Sequence, residues 1–216
     1  MVFYVRERYE KKVMSTKIKR IVSLMLCLIM AAMCFASCGD DKSSGEKSEP
    51  ILIEMSVKEH GVMKLELYPD IAPETVANFV DLVKQKFYDG LTFHRIMTGF
   101  MIQGGDPDGN GSGGSKNTIK GEFMENGFYN ALSHTRGVIS MARSQDYNSA
   151  SSQFFICHSD TAAYSLDGKY AAFGKVIEGF DVLDSIANVE VVANFRGEMS
   201  VPVHTVYIDY VKVIEE

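Results

Sequence analysis

The sequence predicts an all-β domain, a barrel with two helices, and three observations lead there. From Ile51 onward the apolar residues fall in short runs of strand-like composition, turn formers separate these runs, and only two stretches carry a helical spacing. Ile51 to Val57 and Val62 to Leu67 flank Glu59-His60-Gly61 and predict an opening hairpin. Pro73 to Gln85 predicts a helix with one buried face: Pro73 suits the first turn, and Val76, Phe79, Val80 and Val83 stand at i, i+3, i+4 and i+7. Thr92 to Ile96, Phe100 to Gln103, Val138 to Ala142, Gln153 to Cys157, Ala171 to Val176 and Val203 to Val213 are the further strands, and Phe180 to Ala187 is a second short helix. No internal repeat is visible.

The segment before Ile51 has a different composition. Ile21 to Ala36 is apolar apart from Ser23, follows Lys17, Lys19 and Arg20, and ends at Ser37-Cys38-Gly39-Asp40, the three-part layout of a secretory signal. Sixteen residues fall short of the roughly 20 that span a hydrocarbon core, so export is favoured over a permanent span. Phe35-Ala36-Ser37-Cys38 resembles a bacterial lipobox, with Phe35 in place of the commoner Leu, which makes Cys38 the expected lipidation site. The plainer alternative is cleavage near Ser37 with Cys38 incidental. Cys34 competes poorly because the large Met33 precedes it. Glu7 and Glu10 are unwelcome in a signal, which makes Met14 a candidate start. Gly39 to Pro50 is polar and reads as a flexible tether whose 12 residues reach about 20 Å. The expected organisation is thus a signal over 1–37, a lipidated cysteine and tether over 38–50, and one domain over 51–216, anchored to a bacterial membrane on its extracytoplasmic side.

Residues 1–37 carry seven of the 22 basic and two of the 28 acidic residues, leaving 15 basic and 26 acidic, a net charge of −11. Nucleic acid is therefore an unfavourable partner. With Cys27 and Cys34 in the signal and Cys38 taken by lipid, Cys157 has no partner for a disulfide, and its run Phe154-Phe-Ile-Cys157 marks it as a small buried hydrophobe. Monomer is the default expectation.

Chemistry concentrates in residues 93 to 106, Phe-His-Arg-Ile-Met-Thr-Gly-Phe-Met-Ile-Gln-Gly-Gly-Asp, which set one cation, Arg95, and one amide, Gln103, among apolar side chains. That mixture points to catalysis on a peptide bond. Val138-Ile-Ser-Met-Ala142, Ser152-Gln-Phe-Phe-Ile156 and Leu166-Asp-Gly-Lys-Tyr-Ala-Ala-Phe-Gly-Lys-Val176 follow. In order and spacing this set strongly resembles the cyclophilin-type peptidyl-prolyl isomerases, over Ile51 to Val213. The resemblance implies an eight-stranded antiparallel barrel with a helix over each open end, proline-containing polypeptides as partners, and no cofactor or metal. It implies that Arg95 donates to the prolyl nitrogen and that Phe100, Met101, Phe155 and Leu166 seat the proline ring. Gln103 would bond the substrate carbonyl, the backbone at Arg143 would grip the residue before the proline, and Ala142, Gln153 and Gly111 would line an adjoining groove. Tyr170, where many members have His, would close over the ring. His94 is read as structural. Ser165 stands where many eukaryotic members carry Trp, and Arg143 where many carry Asn.

Other chemistries find little support. Gly104 to Gly114 is glycine-rich, but no Gly-Lys-Ser/Thr follows and no helix opens after it, so it reads as a surface loop. The five histidines show no metal-ligand spacing with one another or with Cys157. Ser140 and His134 are close in sequence without a nucleophile-elbow pattern. A non-catalytic proline-peptide-binding or chaperone module is the main rival from another class, opposed by the retention of Arg95, Phe100, Gln103 and Phe155. A two-lobed solute-binding lipoprotein needs more chain than the roughly 165 residues left.

Overall fold

The computed structural model describes residues 48–214; the expected signal, Met14, Cys38 and the tether as far as residue 47 lie outside the described residues. Ten strands are present among the described residues: β1 (Ile51–Val57), β2 (Gly61–Leu67), β3 (Thr92–Met97), β4 (Met101–Asp106), β5 (Val138–Met141), β6 (Phe154–Cys157), β7 (Ala172–Glu178), β8 (Val191–Ala193), β9 (Met199–Pro202) and β10 (Ile208–Val213). The α-helices among the described residues are α1 (Pro73–Lys84), α2 (Ala163–Leu166) and α3 (Phe180–Ala187). Eight strands make one antiparallel sheet in the order β10-β1-β2-β7-β5-β6-β4-β3. The sheet curls until its two edges touch: Thr92 and Tyr207 form a bridge, and the Phe93 and Ile208 amides donate to the Val206 and Leu91 carbonyls at 3.0 and 2.8 Å. Both edges thereby lose part of their free backbone.

Period-2 alternation drives the curl. In β1, Ile53, Met55 and Val57 point into the core and, in β2, Met63, Leu65 and Leu67 meet them, while the intervening residues are partly or fully exposed. Helix α1 buries Val76, Phe79, Val80 and Val83, and the Phe79 ring lies 4.9 to 5.6 Å from the rings of Tyr88, Phe173 and Phe154. Ala72 at its N-cap has no side chain to accept a hydrogen bond. Buried Glu122 substitutes from a distance, accepting from the amides of Glu74 and Thr75 at 3.1 and 2.8 Å. Helix α3 buries Val182, Leu183 and Ile186 and packs on β2, β3 and β4.

Two features depart from the sequence reading. The strand expected over Val203 to Val213 begins only at Ile208, because the chain is first drawn aside to a separate β8–β9 ladder, with the Val203 amide bonded to the Glu190 carbonyl at 2.9 Å. The four-residue helix α2 was not expected beside the two longer ones.

Candidate active site

Cross-strand register builds the site. Arg95 lies opposite Gln103, Gln103 opposite Phe155, and Phe155 opposite Ser140, so four neighbouring strands place these side chains in one row. One residue along, Ile96, Ile102, Ile156 and Ile139 form the adjacent row, fully buried in the main core. Met101, two residues before Gln103, shares the first row's face and joins a second, smaller apolar cluster with Phe155, Cys157, Leu166 and Ala172.

Over this face lies a cavity of about 230 Å³ lined by Arg95, Phe100, Met101, Gln103, Ala142, Arg143, Phe155, Leu166 and Tyr170. The remaining two site residues expected from sequence, Gly111 and Gln153, line an adjoining cavity of about 240 Å³ that shares Gln103, Ala142 and Arg143 with the first. A single polar chain joins the two. Gln153 Nε2 donates to the carbonyls of Gly111 and Gly113 at 3.1 and 2.7 Å, which turns its oxygen toward Gln103 Nε2 at 2.8 Å. Gln103 Oε1 therefore faces Arg95 and accepts from Nη1 at 3.3 Å. On its other edge Arg95 donates from Nε and Nη2 to the two oxygens of Glu198, both at 2.7 Å, and this hydrogen bonding, with the charge behind it, holds the Glu198 carboxyl down at about 2.

Arg143 is held quite differently. Its guanidinium lies 4.8 to 5.1 Å from the ring centres of Phe123, Tyr147 and Tyr170 and donates to the carbonyls of Lys169 and Ser144. Among the described residues nothing bonds its main-chain N–H, and the residue lines both cavities. The Tyr170 ring meets Phe155 edge-on at 5.7 Å.

Behind Phe155 sits an arrangement that sequence separation concealed. Asp167 accepts from His134 Nδ1 at 2.7 Å, which leaves Nε2 to accept from the Ser140 hydroxyl at 3.0 Å. Burial pushes the His134 imidazole below its ordinary value, more than Asp167 raises it. The polarity is that of a nucleophile triad, yet Ser140 is 0% exposed and His134 1%, so no substrate reaches the hydroxyl. His134 stacks on Phe155 with ring centres 5.9 Å apart, and the network serves to seat that ring.

Among the described residues His94 has both ring nitrogens buried without a partner, and burial pushes its imidazole below the ordinary value. The glycine-rich loop contains its own anion: Asp106 accepts from the amides of Asp108, Asn110 and Gly111, so no cradle is left for a phosphate. Burial pushes the Cys157 thiol up to about 12, which makes it inert.

A family model described as "Cyclophilin type peptidyl-prolyl cis-trans isomerase/CLD" matches residues 52–213. The chain belongs to that family of prolyl isomerases. This cyclophilin is 43% identical over 136 residues to peptidyl-prolyl cis-trans isomerase B of Bacillus subtilis, covering 63% of this chain and 90% of the relative. A Streptococcus pyogenes protein described as a bifunctional phosphatase/peptidyl-prolyl cis-trans isomerase is 40% identical over 174 residues, 68% of this chain but only 36% of the relative. The chain thus spans about a third of that relative's length. A Cryptosporidium parvum cyclophilin-type isomerase, solved in the presence of the dipeptide Ala-Pro, superposes with a TM-score of 0.66 at 30% identity, covering 76% of this chain and 99% of the other.

Glu198, Asn194 and Asp167 belong to the site's surroundings and were not foreseen. Glu198 stands 103 residues from Arg95, and no local pattern joins them. The Leu-Asp-Gly motif does contain Asp167, but its tie to His134 is visible only once the chain is folded.

Proposed function

We propose that this cyclophilin acts on the extracytoplasmic side of a bacterial membrane, held there by lipid on Cys38, and accelerates slow prolyl steps in newly exported or surface polypeptides. The signal-like segment ending at Cys38 and the polar tether before β1 support the location. Two or more acyl chains, at about 0.8 kcal/mol for each buried methylene, would make the anchoring stable.

Catalysis needs no bond broken and no cofactor. Rotation about a prolyl bond must overcome roughly 18 to 20 kcal/mol of lost amide resonance. Arg95 offers a hydrogen bond to the nitrogen as it becomes pyramidal, Gln103 holds the carbonyl, and the Arg143 amide binds the preceding residue. Phe100, Met101, Phe155, Leu166 and Tyr170 enclose the ring, while Ala142, Gly111 and Gln153 take the chain upstream. A gain of about 10⁵ in rate needs roughly 7 kcal/mol. One charge-assisted hydrogen bond supplies about 1.5 to 3, so the enclosed pocket must also bind the twisted amide better than either planar isomer.

The observation that carries this reading is the convergence of Arg95, Gln103 and the apolar seat on one cavity, with the Nη1 edge of Arg95 turned toward Gln103. Exchange spectroscopy on a short Ala-Pro-Phe peptide tests it. The parent should accelerate cis-to-trans exchange and Arg95→Ala should lose most of that effect; a folded Arg95→Ala protein with parental rates would reassign the chemistry. For the location, Cys38→Ser should move the protein from the membrane to the soluble fraction of its host. An unchanged membrane fraction would remove lipid on Cys38 as the anchor.

A further inference from the structure

We infer that Glu198 is a positioning residue for Arg95, and that the β8–β9 hairpin exists in part to present it. The inference rests on Arg95 acting at the prolyl nitrogen. An arginine side chain has several freely rotating bonds, and a donor that must meet a developing lone pair loses effectiveness when it samples other directions. Glu198 removes that freedom by accepting from Nε and from Nη2 in a two-toothed contact at 2.7 Å each, and Met97 Sδ accepts the second Nη2 hydrogen at 3.2 Å. Only the Nη1 edge then remains for the pocket, where Gln103 Oε1 meets it at 3.3 Å.

The carboxylate is itself fixed. Asn194 Oδ1 accepts from the Glu198 and Arg196 amides at 3.1 and 2.9 Å, and Asn194 Nδ2 donates back to Glu198 Oε1 at 3.4 Å. The turn is closed by Gly197 at φ +82, a conformation other residues seldom adopt. Strand β9 lies against β3, which carries Arg95, so the hairpin brings Glu198 to the Nε and Nη2 edge of the guanidinium. The side chains of Arg95 and Glu198 are 32% and 31% exposed, so solvent screens the contact only in part.

A competing expectation gives the test its force. A carboxylate on the guanidinium also dilutes its charge, so a merely structural or quenching Glu198 could be removed without loss, or with a gain. The experiment uses the full-length chain in mild detergent, an Ala-Pro-Phe peptide and exchange spectroscopy, which separates kcat from KM. Glu198→Gln has the parent's shape but cannot accept at both oxygens; it should lower kcat about tenfold with KM within about twofold. Broadened or shifted Arg95 Nε–Hε resonance should accompany it. The double variant with Arg95→Ala should be no slower than Arg95→Ala alone, because Glu198 acts only through that side chain.

Parental or raised kcat in Glu198→Gln overturns the inference, and so does an additive loss in the double variant. If Arg95→Ala itself retains parental activity, the reading beneath fails first, and the two failures are distinguishable. Should Glu198→Gln fold poorly, Asn194→Ala serves in its place: it frees the carboxylate without removing it, and an unchanged kcat there with a sharp Arg95 resonance would also count against the assignment.

Discussion

Two rows of side chains, one residue apart on the same four strands, have opposite characters. Ile96, Ile102, Ile156 and Ile139 form a fully buried row of a single residue type, whereas Arg95, Gln103, Phe155 and Ser140 differ in charge, shape and hydrogen bonding. The isoleucine row can be uniform because its task is to fill volume. In the other row the members are held by three side chains outside it: Glu198 for Arg95, Gln153 for Gln103, and His134 for both Phe155, by its ring, and Ser140, by Nε2. The pleat lets a rigid core support a reactive face without sharing residues with it.

The contrast is sharpest in Arg95→Ala against Ile156→Ala. Arg95→Ala should lower kcat/KM by about 10² or more while the melting temperature moves by only a few degrees. Ile156→Ala should cost about 2–5 kcal/mol of stability from lost burial and the cavity left behind, with nearly parental activity per folded molecule. Paired peptide-exchange and urea-unfolding measurements read both quantities. A large activity loss in Ile156→Ala at full folding would mean that the rows are coupled.

Phe155 should break the separation from the reactive side. It belongs to the reactive row, yet it is only 4% exposed and carries the second apolar cluster. Phe155→Ala should therefore cost about 3–5 kcal/mol and also remove a wall of the pocket, raising KM for the peptide. A variant that loses activity but keeps its stability would show that the Phe155 ring contributes little to packing.

The strands and helices of the barrel were far more legible in the sequence than the reactive row's partners. Alternation alone marks β1 and β2, and helix α3 lies over Phe180–Ala187 as its spacing predicts, because each pattern is complete within a few residues. The pocket residues were named through motifs that resemble a family, not through periodicity. Glu198 was illegible: it stands in the turn just before a four-residue strand that meets β3 only through tertiary packing. Asn194 and Gly197 are turn residues by chemistry, but nothing local says which carboxylate their turn presents.

Arg143 tests whether a cation lining the same pocket must act through its charge. Its guanidinium is spread over three aromatic faces and backbone carbonyls, with no carboxylate among the partners named for it. Arg143→Ala should uncover those rings and lower stability by about 1–2 kcal/mol, yet reduce kcat less than tenfold, because its amide remains in place. A loss as large as that of Arg95→Ala would make Arg143 a charge that acts in the reaction.

The smallest expected effect lies in acid, where, of the two rows, only the reactive one has partners that titrate. Arg95 holds the Glu198 carboxyl at about 2 against an ordinary value of 4.5, so the unfolded chain binds that proton first as the pH falls. Glu198 thus contributes stability that is full above 4.5 and lost as the pH drops toward about 2. His134, lowered mainly by burial from 6.5, adds a separate loss that begins as the pH falls below that value. Glu198→Gln removes the first contribution and leaves the second. The stability gap between parent and Glu198→Gln, measured by urea unfolding at successive pH values, should be constant above 4.5 and close toward pH 2. A gap that stays open at the acid end would mean that Glu198 stabilises the hairpin by shape and hydrogen bonding, and that its charge on Arg95 matters only to catalysis.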